Sequence, residues 1–68
     1  MSISYNGLWK LLIDKNMQKK DLVKELNISS ATVAKMGKGE TVSMEVLERI
    51  CDHFDCNIGD LISFEKDR

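Results

Sequence analysis

Cys51, His53 and Cys56 are the first residues that could do chemistry, because thiolate and imidazole groups bind zinc. They form the pattern C-x-H-x-x-C, which is not a usual zinc spacing, and the sequence offers no obvious fourth ligand. We therefore interpret both cysteines as thiols packed in the hydrophobic core, with metal binding or redox sensing as the alternative. His53 is expected to lie exposed on a helix, and no metal or cofactor is expected.

Acidic side chains are frequent after residue 40 and could serve general acid–base catalysis. The sequence shows no nucleophile arrangement, metal-ligand cluster or phosphate-binding loop to accompany them. A chain of 68 residues also has little room for a deep cleft, because so small a domain buries only about 60% of its unfolded surface. We therefore expect binding without enzymatic activity.

The charge is unevenly distributed along the chain. The formal net charge of −1 argues against nucleic acid at first sight, since DNA-binding domains usually carry a basic excess. Residues 1–39, however, hold seven lysines and three acidic residues, a net charge of +4, whereas residues 40–68 hold three cations and eight acidic residues, a net charge of −5. This pattern predicts a basic face that suits DNA and an acidic half that could meet a protein partner.

One residue pattern recurs five times and predicts five helix N-termini. An apolar residue precedes a small or polar N-cap, and a second apolar residue follows five positions after the first, which is the spacing of a hydrophobic staple. The predicted N-caps are Ser4, Gln18, Ser29, Ser43 and Asn57. With stop signals at Asn16, Asn27, Gly37 or Gly39, and Asp55, the helices are predicted roughly over 5–15, 19–26, 30–37, 44–54 and 58–63.

The predicted fold class is therefore all-α, a compact five-helix bundle. The two ends of the chain leave one alternative open, because Ile3/Tyr5 and Ile62/Phe64 could pair as two short strands. Asp21 and Asp60 fall at the third position of their helices, where a carboxylate can bond back to the N-cap.

Helices two and three are the pair most informative about function. They are short and separated only by Asn27, Ile28 and Ser29, and so short a turn forces two helices to cross steeply. This is the geometry of a helix-turn-helix, in which the second helix enters the major groove of DNA. The motif is predicted at approximately residues 18–37.

The outward side of helix three supplies the candidate base contacts, with an ordinary solvated helix face as the alternative. The residues predicted to read bases are Ser30, Ala31, Thr32 and Lys35. Lys35 could donate to guanine, and the methyl group of Ala31 or Thr32 could contact that of thymine. The residues predicted to contact phosphates are Gln18, Lys19, Ser29 and Lys38. None of the base-reading side chains forms a strong bidentate pair, so tight binding should need two half-sites and a homodimer.

From Met17 to Leu61 the sequence resembles the Cro/CI-type (XRE-like) helix-turn-helix family. The matching residues are Leu22-Val23 in helix two, Asn27-Ile28-Ser29 in the turn, Thr32-Val33 in helix three, and Gly39 after it. The tail resembles the small single-domain branch that includes the VanU-type regulators, as does the opening run 4–14. The residues that carry this second likeness are Leu47, Ile50, Cys51, Phe54, Cys56, Gly59, Asp60 and Leu61.

The resemblance implies one λ-repressor-like DNA-binding domain over residues 1–68 and a transcriptional regulator that binds double-stranded DNA. Three positions depart from the family pattern. Val23 stands where the family prefers alanine at the close contact between the two helices. Asn27 replaces the turn glycine, and Asn adopts the left-handed conformation more easily than most residues. Lys19 replaces a glutamine near the start of helix two, where a lysine suits a phosphate.

Two expectations concern location and a competing function. No apolar run approaches the length of a membrane span, and the first residues do not form a signal peptide, so we expect a cytoplasmic protein. The competing interpretation is a protein-interaction module, of an antitoxin-like or anti-regulator kind, that uses the acidic half at 40–68.

Overall fold

Four α-helices and one two-stranded sheet make up the part of the chain that the structure, a computed structural model, describes, which is residues 2–65. The elements are β1 (Ser2–Ser4), α1 (Asn6–Asp14), α2 (Lys19–Leu26), α3 (Ser30–Gly37), α4 (Met44–Phe54), a 3-10 turn (Ile58–Asp60) and β2 (Ser63–Glu65). Within these residues, no helix combines the length and the apolar composition that a membrane span requires.

Side-chain caps fix the starts of the central helices where the sequence predicts them. The Ser29 hydroxyl accepts a hydrogen bond from the Thr32 amide at 3.1 Å, and α3 begins at the next residue. The Ser43 hydroxyl accepts from the Val46 amide at 3.3 Å and caps α4 in the same way. Each cap satisfies an amide that has no partner inside its helix.

The first two helices begin slightly differently. At α2 the Gln18 amide donates to the Asp21 carboxylate at 2.8 Å, so the predicted acidic residue stabilises a start that has a weak N-cap. At α1 the N-cap is Tyr5, one residue later than predicted, and the Ser4 hydroxyl accepts from the Asn6 amide at 3.3 Å.

Each α-helix is followed, within two residues of its end, by a residue with positive φ. Asn16, Asn27 and Asp55 have φ of 60°, 58° and 53°, and Gly39 has φ of 75°. After Asn16, Gly39 and Asp55, the next residue in each case donates its amide to the carbonyl five positions earlier in the chain. These bonds satisfy carbonyls at the helix ends. The predicted stop signals are confirmed at all four positions.

The predicted fifth helix over 58–63 is wrong, and with it the five-helix bundle. The Asn57 amide does donate to the Asp60 carboxylate at 3.0 Å, but the chain makes only a single 3-10 turn. Leu61 is fully buried, and its carbonyl accepts from the Leu8 amide of α1 at 3.0 Å. This contact draws the chain onto α1 and out of the helix.

The chain ends pair as strands instead. β1 and β2 are antiparallel, with Ser2 opposite Glu65, Ile3 opposite Phe64 and Ser4 opposite Ser63. The alternative of two short paired strands is therefore the arrangement that forms, shifted by one residue from the predicted segments. Pairing gives the backbone of both segments hydrogen-bond partners that an isolated helix turn could not supply.

The hydrophobic core draws on every α-helix and on the connecting segments. Its buried members are Tyr5, Leu8, Leu12, Leu22, Leu26, Ile28, Val33, Met36, Leu47, Ile50 and Leu61. At Gly7, α1 approaches the 3-10 turn so closely that an added Cβ would lie 2.1 Å from the Asp60 carbonyl oxygen. Glycine is therefore required for this packing.

Candidate nucleic-acid interface

The turn between α2 and α3 consists of three residues with separate tasks. Asn27 takes the left-handed conformation that ends α2. Ile28 is 2% exposed and anchors the turn in the core. Ser29 is extended and caps α3. The chain therefore changes direction within three residues, and α2 and α3 form the predicted helix-turn-helix.

Arg49, on α4, contacts the backbone carbonyls of this turn. Its guanidinium Nη1 lies 3.1 Å from the Asn27 carbonyl oxygen and 3.5 Å from that of Leu26, and Nη2 lies 3.3 Å from the Glu45 carboxylate. Carbonyls at a helix end lack partners within the helix and carry partial negative charge, so a cation is favourable there. Sequence reasoning assigned Arg49 no role, and the four-residue spacing to Glu45 was the only local signal.

The outward face of α3 is lined by small side chains and one lysine. Val33 and Met36 are buried, so the opposite side of the helix faces solvent, and it exposes Ser30, Ala31 and Lys35 together. Ala34 is also exposed and lies three residues after Ala31, on the same face. The sequence interpretation missed Ala34, although its helical spacing could have revealed it.

Thr32 occupies a different environment from the other predicted base-reading residues. It is half-buried, and its hydroxyl lies 2.8 Å from the Ser29 hydroxyl in the α3 cap. Its amide donates to the same Ser29 oxygen. The Thr32 hydroxyl therefore already has a partner in the helix start.

The predicted phosphate-binding residues are all exposed. They lie at the start of α2, at the start of α3 and just after the end of α3. Gln18 and Lys19 lie at the start of α2, Ser29 at the start of α3, and Lys38 directly after α3. Helix starts present free amides and positive dipole ends, which favour phosphate groups.

The Lys19 ammonium is held in place by an aromatic ring. Its Nζ lies 4.4 Å from the centre of the Trp9 ring, a cation–π geometry. Trp9 is half-buried against the core and lies 6.2 Å from the Tyr5 ring, centre to centre. Trp9 thus connects α1 to the start of α2.

Cys51 and Cys56 are explained by the end of α4. The Cys56 amide donates to the Cys51 carbonyl at 3.1 Å across the left-handed Asp55, and at such helix ends these two positions commonly make an apolar contact. Both are half-buried free thiols packed against the core. Burial is the main cause that raises the pKa of Cys56, and the neighbouring Cys51 adds to it.

The potential metal ligands are scattered. Within residues 2–65, no three His, Cys, Asp or Glu side chains come together in a way that could hold a metal ion. His53 is exposed, as predicted, and its ring meets that of Phe54 edge-on at 4.9 Å between centres.

Two short helices joined by a three-residue turn, with the second helix exposed and α4 packed against the first, define a helix-turn-helix DNA-binding domain. The family model for the Cro/C1-type HTH DNA-binding domain matches residues 7–67. The chain belongs to this family, and the predicted family membership is confirmed.

A solved structure supports the same conclusion. The chain is similar to the transcriptional regulator VanUg in its crystal form II, with 45% sequence identity and a TM-score of 0.91. The match covers 97% of this chain and 88% of that one. Comparison with curated protein sequences gives no significant match. The chain is thus a DNA-binding domain of the transcriptional-regulator type.

Proposed function

We propose that the protein is a sequence-specific transcriptional regulator in which α3 enters the major groove. The observation that carries the proposal is the exposed face of α3 formed by Ser30, Ala31, Ala34 and Lys35, directly after a three-residue turn. Small side chains let the helix backbone approach the floor of the groove. Lys35 then reaches a guanine edge, and Ala31 meets a thymine methyl group.

Contacts to phosphates set the position of α3 on the duplex. Lys19 and Lys38 supply charge, while Gln18 and the capped start of α3 at Ser29 supply polar groups and free amides. Thr32 contributes mainly through its methyl group, because its hydroxyl is paired with Ser29. The regulator acts by binding alone, without catalysis.

A homodimer on a short two-fold operator gives this small interface its affinity. One α3 offers a single long donor side chain, Lys35, among small residues, so one domain distinguishes few base pairs. Two copies would place their recognition helices in successive major grooves, about 34 Å apart. The operator is therefore expected to read as two related half-sites.

Mobility-shift titration with DNA from upstream of the protein's own coding sequence tests the proposal. Replacing Lys35 with Ala should weaken specific binding by about 1 kcal/mol, which is a factor of about five. Replacing Lys38 with Ala should weaken binding to all sequences and reduce the salt dependence by about one unit of slope. Lys10→Ala is the matched control, because Lys10 is exposed on α1, outside the helix-turn-helix.

The outcome that contradicts the proposal is equally specific. If the folded Lys35→Ala protein binds the same DNA as tightly as the Lys10→Ala protein, α3 does not read the major groove. Circular dichroism of each variant establishes that the fold is intact. Sedimentation of the complex on one and two half-sites tests the dimer separately.

A further inference from the structure

An open groove of about 370 Å³ lies between α4 and the 3-10 turn. The residues that line it are Met44, Leu47, Glu48, Cys51, Asp52, Cys56, Asn57 and Ile58. None of them belongs to α2 or α3. The groove is therefore separate from the proposed DNA interface.

The floor of the groove is apolar and reaches the surface. Met44 is 68% exposed and Ile58 is 36% exposed, while Leu47 is buried beneath them. The half-buried thiols of Cys51 and Cys56 complete the floor. Large apolar side chains grouped at a concave surface are typical of binding sites rather than of ordinary solvated surface.

The rim of the groove is acidic. Glu48 and Asp52 are four residues apart on α4, so their carboxylates lie on one side of the helix and repel each other. No lysine or arginine of residues 2–65 lines the groove. Arg49, the cation nearest in sequence, is directed to the turn carbonyls and Glu45. The rim is thus left with negative charge that an occupant could neutralise.

We propose that this groove binds a basic amphipathic helix of a protein partner. Apolar residues of that helix, spaced by three and four positions, would cover Met44, Cys51 and Ile58, and its lysines or arginines would pair with Glu48 and Asp52. This is the helix-in-groove mode of recognition. The interaction goes beyond DNA binding and leaves α3 free to contact DNA at the same time.

Charge argues against a second copy of the chain as the occupant. A two-fold contact brings the same patch of each copy together, so Glu48 and Asp52 would face their own counterparts. Like charges in such a contact are unfavourable. A partner of opposite charge gains the apolar contact and removes the repulsion along α4.

The experiment uses the full chain and synthetic helical peptides built from leucine and lysine. One peptide has its leucines in a stripe at helical spacing, a second has the same composition in scrambled order, and a third has glutamate in place of lysine. Titration of the isotope-labelled chain by two-dimensional NMR should show that the first peptide alone shifts the signals of Met44, Glu48, Cys51, Asp52 and Ile58.

Variants connect the binding to the groove. The double variant Glu48→Gln/Asp52→Asn should lower the peptide affinity by about tenfold, because it removes two exposed charge pairs with the peptide. Met44→Ala should also weaken binding, and its high exposure means that the fold tolerates it. Glu25→Gln, an exposed position on α2 outside the groove, is the matched control and should bind like the unchanged chain.

Several results would overturn the inference. The groove is not such a site if the striped basic peptide fails to bind, if the scrambled or acidic peptide binds equally well, or if the shifts fall elsewhere. If the unchanged chain is a dimer and Met44→Glu makes it a monomer, the occupant is a second copy. Loss of DNA binding in the unchanged protein would instead contradict the proposed function and leave this inference standing.

Discussion

The Arg49 guanidinium on α4 donates to the carbonyl oxygen of Asn27 at a distance of 3.1 Å, across 22 positions of sequence. Asn27 is the left-handed residue that ends α2 and opens the turn to α3. The bond therefore ties the only cation of α4 to the point that sets the direction of α3. A residue in the acidic half of the chain thus positions the helix of the basic half.

Replacing Arg49 with Met should destabilise the protein and weaken DNA binding. Methionine keeps the apolar stem but removes the donors, so the helix-end carbonyls lose a charged partner. Because the site is partly exposed, the expected loss is about 1 kcal/mol in the free energy of unfolding. Urea denaturation measures it. Glu45→Gln is the control: it removes the exposed ion pair and the carboxylate in the first turn of α4 but leaves the turn contact of Arg49, and it should change stability by about 0.5 kcal/mol. Equal losses in the two variants would show that the ion pair, not the turn contact, is what matters.

Gly7→Ala should be strongly destabilising. The added Cβ would lie 2.1 Å from the Asp60 carbonyl oxygen, so α1 or the 3-10 turn must move. Overpacking of this kind costs about 1–3 kcal/mol or more. The measurement is the melting temperature of Gly7→Ala compared with that of Gly59→Ala. Gly59→Ala is the control, because an added Cβ at Gly59 meets nothing within 4 Å. A Gly7→Ala protein as stable as the Gly59→Ala protein would refute this close approach.

Local sequence signals predicted most of the fold, and long-range contacts account for what they missed. Ser29, Ser43 and Asn27 act through neighbours within a few positions, so their effect can be inferred from spacing alone. The 3-10 turn ends because Leu61 contacts Leu8 of α1, which no local pattern encodes. Because the local signals show only a helix start at Asn57, they predicted a fifth helix that this contact prevents.

In the candidate interface, too, local spacing predicts some features and long-range contacts determine the others. The exposed positions of α3 follow from its helical period, and the predicted residues Ser30, Ala31 and Lys35 do share a face. Two features depend on contacts that spacing does not reveal, namely the contact between Arg49 and the turn and the position of Lys19 over Trp9. Each contact joins residues of different helices. The first fixes the end of α2 and the second fixes its start.

Ser29→Ala and Ser43→Ala form a matched pair that separates stability from DNA binding. Each removes one hydroxyl cap, so each should cost about 1 kcal/mol in the free energy of unfolding. Ser29→Ala also frees the Thr32 side chain at the start of α3 and should weaken DNA binding, whereas Ser43→Ala should not. Chemical denaturation and mobility-shift titration of both proteins test this. Equal DNA affinity in two equally destabilised proteins would remove Ser29 from the interface.

The Cys56 thiol should make stability fall at high pH. Burial, with Cys51 as a further cause, raises its pKa above the ordinary value of 9.0, so the folded protein keeps the proton that the unfolded chain releases. The stabilisation is complete below pH 9 and is lost as the pH rises through the folded-state pKa. Melting temperatures between pH 7 and 10 should therefore fall less steeply for Cys56→Ala than for the unchanged chain. Since the pKa of Tyr5 is also raised by burial, the variant should keep a residual decline near pH 10. Identical pH profiles for the two proteins would contradict a shifted Cys56 thiol.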